Sequence, residues 1–146
     1  MRVATVTITT FAVVSLLAAC GSSRLSHGEY VKRANTICAG YDAKVKKLAK
    51  PQSVTEIETY ARRVLAQYRE ALAKLEALKP PKDNEVTVDQ WLATDRRIAK
   101  DVEAIASAAK ARRIPAVQTA TQRASLDNTA SDRLAKELGL SSCVSS

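Results

Sequence analysis

Histidine occurs once in this 146-residue chain, as His27, and glycine only as Gly21, Gly28, Gly40 and Gly139. A lone histidine cannot supply the paired Glu-x-x-His motifs of a di-iron helical bundle. Glycines so dispersed form no phosphate-cradling loop, and no Gly-x-Ser-x-Gly nucleophile elbow occurs. Aromatics are few: from residue 20 onward there are Tyr30, Tyr41, Tyr60, Tyr68 and Trp91, and no phenylalanine. Strand-type alternation of β-branched residues is also scarce, whereas Ala, Leu, Lys, Arg and Glu abound. These absences point away from an enzyme and toward an all-α fold without a cofactor.

Charge is missing from the N-terminus, where Arg2 is the only charged residue before Arg24. Residues 3–19 are apolar apart from Thr5, Thr7, Thr9, Thr10 and Ser15, and close with Leu16-Leu17-Ala18-Ala19 before Cys20. A positive start, a short apolar stretch and a small-residue end make a secretory signal. Seventeen residues with five hydroxyls are short for a membrane span. Leu17-Ala18-Ala19-Cys20 resembles the bacterial lipobox. That resemblance implies a diacylglyceryl group on the Cys20 sulfur, cleavage before Cys20, and a lipid-anchored protein on the extracytoplasmic face of the cell membrane. An ordinary cleaved signal and an uncleaved anchor are the competing readings. The chain thus divides into a signal peptide (1–19), a lipidated tether (20–25) and one domain (26–146), which is too short for two.

Loss of Arg2 with the signal reduces the formal charge from +8 to +7. In the cytosol such a charge would suggest nucleic acid. Export removes that partner and leaves anionic lipid headgroups, an anionic wall polymer or an acidic envelope protein. With Cys20 assigned to lipid, Cys38 and Cys143 remain in a compartment where disulfides persist. Two thiols and one histidine are too few for a structural metal site. The cysteines are expected to pair, buried free thiols being the alternative.

Four segments follow, each with start and stop signals. Ser26 and Glu29 form a capping box ahead of Tyr30, Ala34, Ile37, Cys38, Tyr41, Val45 and Leu48, and Pro51 ends the stripe. Ser53 and Glu56 form a second box, ahead of Ile57, Ala61, Val64, Tyr68, Leu72, Leu75 and Leu78, with Pro80-Pro81 as the stop. The third opens near Thr87 with Gln90, and carries Val88, Trp91, Ile98, Val102 and Ile105 with Asp95 in the same seam. The fourth begins with Pro115 and ends at Leu138, Gly139 supplying the left-handed residue after it. Alternatively, Pro115 merely kinks one long helix. At about 24 to 26 residues, or roughly 36 to 39 Å each, the segments predict an antiparallel up-down-up-down four-helix bundle. In that topology Cys38 and Cys143 lie toward the same end, and closing a loop of about 105 residues would contribute about 4 to 5 kcal/mol. Ala34-Asn35-Thr36-Ile37-Cys38 and Leu138-Gly139-Leu140-Ser141-Ser142-Cys143 resemble motifs of small exported helical proteins of actinobacteria. The resemblance implies the bundle and the disulfide, and carries no activity with it.

Two sets of residues are candidates for function. Tyr68, Asp95 and Asn128 are expected to form a polar layer on the inner faces, either a register-setting layer or a small polar pocket, whereas Asp42, Asp101 and Glu103 read as outward-facing. His27 reads as a solvated residue near a helix start. The second set is a basic tip far from the lipid. Lys44, Lys46, Lys47, Lys50, Arg62, Arg63, Lys110, Arg112 and Arg113 stand there against Glu56 and Glu58, carrying the entire +7 excess. Helix-end electrostatics explains part of this. At the opposite end, however, Lys79, Lys82 and Lys136 are offset by Asp83, Glu85 and Glu137. The leading expectation is a non-catalytic binding or structural lipoprotein that engages an anionic envelope component or a protein partner. The alternative is a carrier holding a small ligand between the helices near Trp91 and Asp95. A cavity of several hundred Å³ would favour the carrier, and a closed Ala-rich seam the packed module.

Overall fold

The computed structural model describes residues 24–145. The export signal and Cys20 lie outside the described residues. Four helices, with no strand among the described residues, form a helical bundle: α1 (His27–Val45), α2 (Val54–Glu76), α3 (Glu85–Lys110) and α4 (Ile114–Glu137).

Local chemistry sets the ends. Ser26 Oγ accepts the Glu29 N–H at 3.3 Å, but the Glu29 carboxylate turns to Arg33, so only half of the expected box forms. α1 has 19 residues and stops at Val45, well before Pro51. The segment beyond it, Lys46-Lys47-Leu48-Ala49-Lys50, has one large apolar side chain to bury, and Pro51 disfavours helix at Lys50. At α2 the Ser53 hydroxyl makes no capping bond; Glu56 instead accepts the Gln52 N–H at 2.7 Å. α3 starts at Glu85, two residues before Thr87, because a 3-10 turn (Lys82–Asn84) leads directly into it. α3 and α4 are separate helices, with Pro115 in the first turn of α4.

Gly139, at φ +76, ends α4, with the Leu140 N–H donated to Ala135 O at 2.8 Å and the Gly139 N–H to Lys136 O at 3.1 Å. The same pair of bonds ends α3, Arg113 to Ala108 and Arg112 to Ala109, each at 2.9 Å. There the left-handed residue is Arg112, at φ 53.

α3 is the central element, packing on α2 and on α4. α1 packs on α2 and on a second 3-10 turn (Ser141–Cys143), while its backbone stays farther from α4. The chain after Gly139 spans the space between those two helices. The Cys38–Cys143 disulfide, with its Cα atoms 5.1 Å apart, and a 2.9 Å bond from the Ser142 N–H to Asn35 Oδ1 tie it to α1. Asp132 of α4 holds its other side, accepting the Ser145 N–H at 2.9 Å and hydroxyl at 2.6 Å. Tyr30, Val88, Trp91, Leu138 and Leu140 are the largest fully buried side chains.

Candidate functional site

A cavity of about 390 Å³ lies between the helices, lined by residues of all four and of the C-terminal strap. Asp95, on the face of α3 that carries Trp91 and Ile98, is 6 % exposed. Its Oδ1 accepts the Ser131 hydroxyl at 2.6 Å, and the Trp91 Nε1–H donates to Ser131 Oγ at 2.9 Å. A buried Trp91–Ser131–Asp95 chain therefore crosses from α3 to α4 and back. Tyr68 of α2 also favours the charged carboxylate, from outside strict hydrogen-bond geometry.

Burial pushes the Asp95 carboxyl up from 3.8 to about 6; Ser131 and Tyr68 oppose this and Asp132 adds to it. Burial and the neighbouring Asp95 drive the Tyr68 phenol well above its ordinary range. Burial likewise raises Tyr41 to about 12. The Tyr41 and Tyr68 rings meet edge to face, with centroids 5.4 Å apart and planes at 76°. On the other walls, Val64, Leu72, Leu75, Ile98 and Val102 supply apolar surface.

Tyr68 and Asp95 thus come together as expected. Asn128 does not join them in the interior: it is exposed and lines the cavity only from the rim. Its place in the buried layer belongs to Ser131, one turn further along α4. The Ala-rich stripe of α4 has too little hydropathy contrast to fix its phase within a turn. A small hydroxyl residue seven positions after Ala124 and four before Ala135 was the available signal. Two further placements differ. Asp42 is half-buried and lines the cavity. Asp101 is 8 % exposed and accepts Arg123 Nε at 2.8 Å, because α4 covers that face of α3. Glu103 is exposed and pairs with Arg69, while exposed His27 lies 3.3 Å from Asn84 Oδ1 through Nδ1.

All eight cations named for anion or partner binding (Lys46, Lys47, Lys50, Arg62, Arg63, Lys110, Arg112 and Arg113) are exposed, and Lys46 also lines the cavity. Arg62 pairs with Glu58, and neighbouring Lys44 with Glu70. The other seven have no ion-pair partner among the described residues. Among the described residues no group of three His, Cys, Asp or Glu is placed to hold a metal ion, and no helix is long and apolar enough to cross a membrane. Comparison with protein-family models, with curated proteins and with solved structures finds no match.

Proposed function

We propose that this chain is an envelope lipoprotein, tethered outside the membrane through Cys20, whose helical domain carries a small ligand between its helices. The observation that carries this reading is the 390 Å³ cavity with a buried, hydrogen-bonded carboxylate in its wall. A volume of that size and a few convergent polar groups on an apolar surface are typical of small-molecule sites. The lipobox-like Leu17-Ala18-Ala19-Cys20 supports the tether. Mass spectrometry of the chain purified from its own envelope tests both parts. Denatured, it is expected to start at Cys20 with a lipid adduct; under native conditions it should retain a small molecule that unfolding releases. An unacylated chain removes the tether, and a ligand-free one argues against the carrier.

In the same reading the helices run antiparallel, up-down-up-down. Salt bridges support this order: Arg96–Glu76 and Arg69–Glu103 between α2 and α3, and Arg97–Asp127 and Arg123–Asp101 between α3 and α4. Each series advances along one helix as it retreats along the next. The Leu25 N–H, just before α1, donates to Lys79 O, just after α2, which supports the same sense for the first pair.

That order gathers the basic residues at one tip and favours a second, compatible role in docking the domain on an anionic wall polymer or an acidic envelope protein. The seven cations without ion-pair partners among the described residues are the specific observation behind it. Binding of the chain to anionic wall material is expected to weaken between about 50 and 300 mM salt. Replacing Lys46, Lys47, Arg112 and Arg113 by Gln should weaken it further with helicity intact. Equal binding by that variant reduces the tip to helix-end electrostatics.

A further inference from the structure

Resting on the reading of the interhelical cavity as a binding site, we infer that its ligand is an organic cation, a protonated amine on an apolar body. The cavity inverts the charge of the molecule around it. The chain carries a formal +8, yet among the described residues the cavity is lined by three carboxylates (Asp42, Asp95 and Asp132) and one ammonium, Lys46. They come from three different helices, so no single helix end accounts for them. Lys46 is exposed and makes no ion pair with any of them.

Asp95 supplies the anchor. Ser131 occupies Oδ1, while Oδ2 makes no strict hydrogen bond among the described residues and belongs to a residue that lines the cavity. Asp132 is committed to the strap through both oxygens, and half-buried Asp42 makes no ion pair among the described residues. A buried carboxylate with one oxygen short of a well-formed hydrogen bond, Tyr68 being its nearest help, gains most from a positively charged donor. Aromatic rings strengthen the preference. Of the five aromatic residues from position 20 onward, Tyr41, Tyr68 and Trp91 line this cavity, and ring faces attract ammonium groups.

The other ligand classes fit less well. An anion would meet three like charges against a single ammonium. A neutral apolar molecule would displace water from Asp95 without replacing its hydrogen bonds, which deepens the desolvation that already raises this carboxyl. An ammonium supplies the missing partner, and its hydrocarbon body can cover Val64, Leu72, Leu75, Ile98 and Val102.

Trp91, the only tryptophan in the chain, lines the cavity and is a built-in reporter. The full chain in neutral detergent is titrated with cyclohexylmethylamine, cyclohexylmethanol and cyclohexanecarboxylate, probes of similar shape and different charge. The amine is expected to change Trp91 emission saturably, with a Kd at least about tenfold lower than either analogue. Asp95→Asn should remove that advantage, whereas Glu103→Gln, on the exposed surface, should preserve it. If Asp95→Asn does not fold, Asp42→Asn provides the same test and should weaken the amine about threefold. Equal binding of all three probes overturns the cation assignment and leaves the cavity a ligand site. No response to any probe overturns both.

Discussion

Asp95 is the residue at which the sequence and the folded environment pull hardest against each other. A lone carboxylate in an otherwise apolar seam was legible from helical spacing, but its partner was not, because Ser131 looks like any small residue in an Ala-rich helix. In the folded chain Tyr68 of α2, Asp132 of α4, and Tyr41 and Asp42 of α1 share its cavity, and burial raises it to about 6. The folded carboxyl therefore holds its proton more tightly than the unfolded one. Below the unfolded value of 3.8 both states are protonated and the contribution is fully present; it is lost as pH rises through about 6. A shift of that size corresponds to about 3 kcal/mol. Asn keeps an oxygen for Ser131 and cannot ionise. Asp95→Asn is therefore expected to match the parent chain near pH 4 and to be more stable by about 1 to 3 kcal/mol at pH 8. Denaturant melts at the two pH values check this, and a pH-independent difference would mean that the carboxylate is fully solvated.

Among the elements, helix ends separate what pattern alone reveals from what geometry decides. Gly139 was legible as the stop of α4, since only glycine enters the left-handed region without a Cβ penalty. The equivalent stop of α3 was not legible, because Arg112 occupies the left-handed position. The start of α3 and the end of α1 moved for related reasons: a 3-10 turn extends the former, and a Lys-rich segment with little to bury shortens the latter. Arg112 sits at a cost that glycine would avoid, and its guanidinium has no ion-pair partner among the described residues. Arg112→Gly should stabilise the fold by about 0.5 to 1 kcal/mol, measured as a higher urea midpoint at unchanged slope. The same substitution should weaken binding to anionic wall material if the basic tip docks there. A gain in stability with no loss of binding would confirm the strain at Arg112 and take it out of the docking surface.

On the scale of the whole molecule, four helices and the Cys38–Cys143 bridge were readable from capping signals, periodicity and cysteine number. The cavity between the helices was not. Every inner stripe was assumed to meet another, yet of the apolar positions expected to face inward on α1, only Tyr30, Ala34 and Cys38 are buried. Tyr41 and Val45 border the cavity instead. α1 is consequently held by α2 on one side and by the strap on the other, and the disulfide is the covalent part of that second attachment. Its residues are separated by 105 positions, and the chain-entropy model assigns such a loop about 4 to 5 kcal/mol. Removing it in the double variant Cys38→Ala, Cys143→Ala is expected to cost about 3 to 5 kcal/mol. The loss should also be uneven. α3 and α4 bury one another along their length and do not depend on the bridge, so their amides should remain protected in native-state hydrogen exchange. Amides of α1 and of residues 141–145 should exchange faster, and Trp91 emission should shift to the red as water reaches the cavity wall. Uniform loss of protection across all four helices would instead make α1 part of one cooperative unit, with the strap contributing only chain entropy.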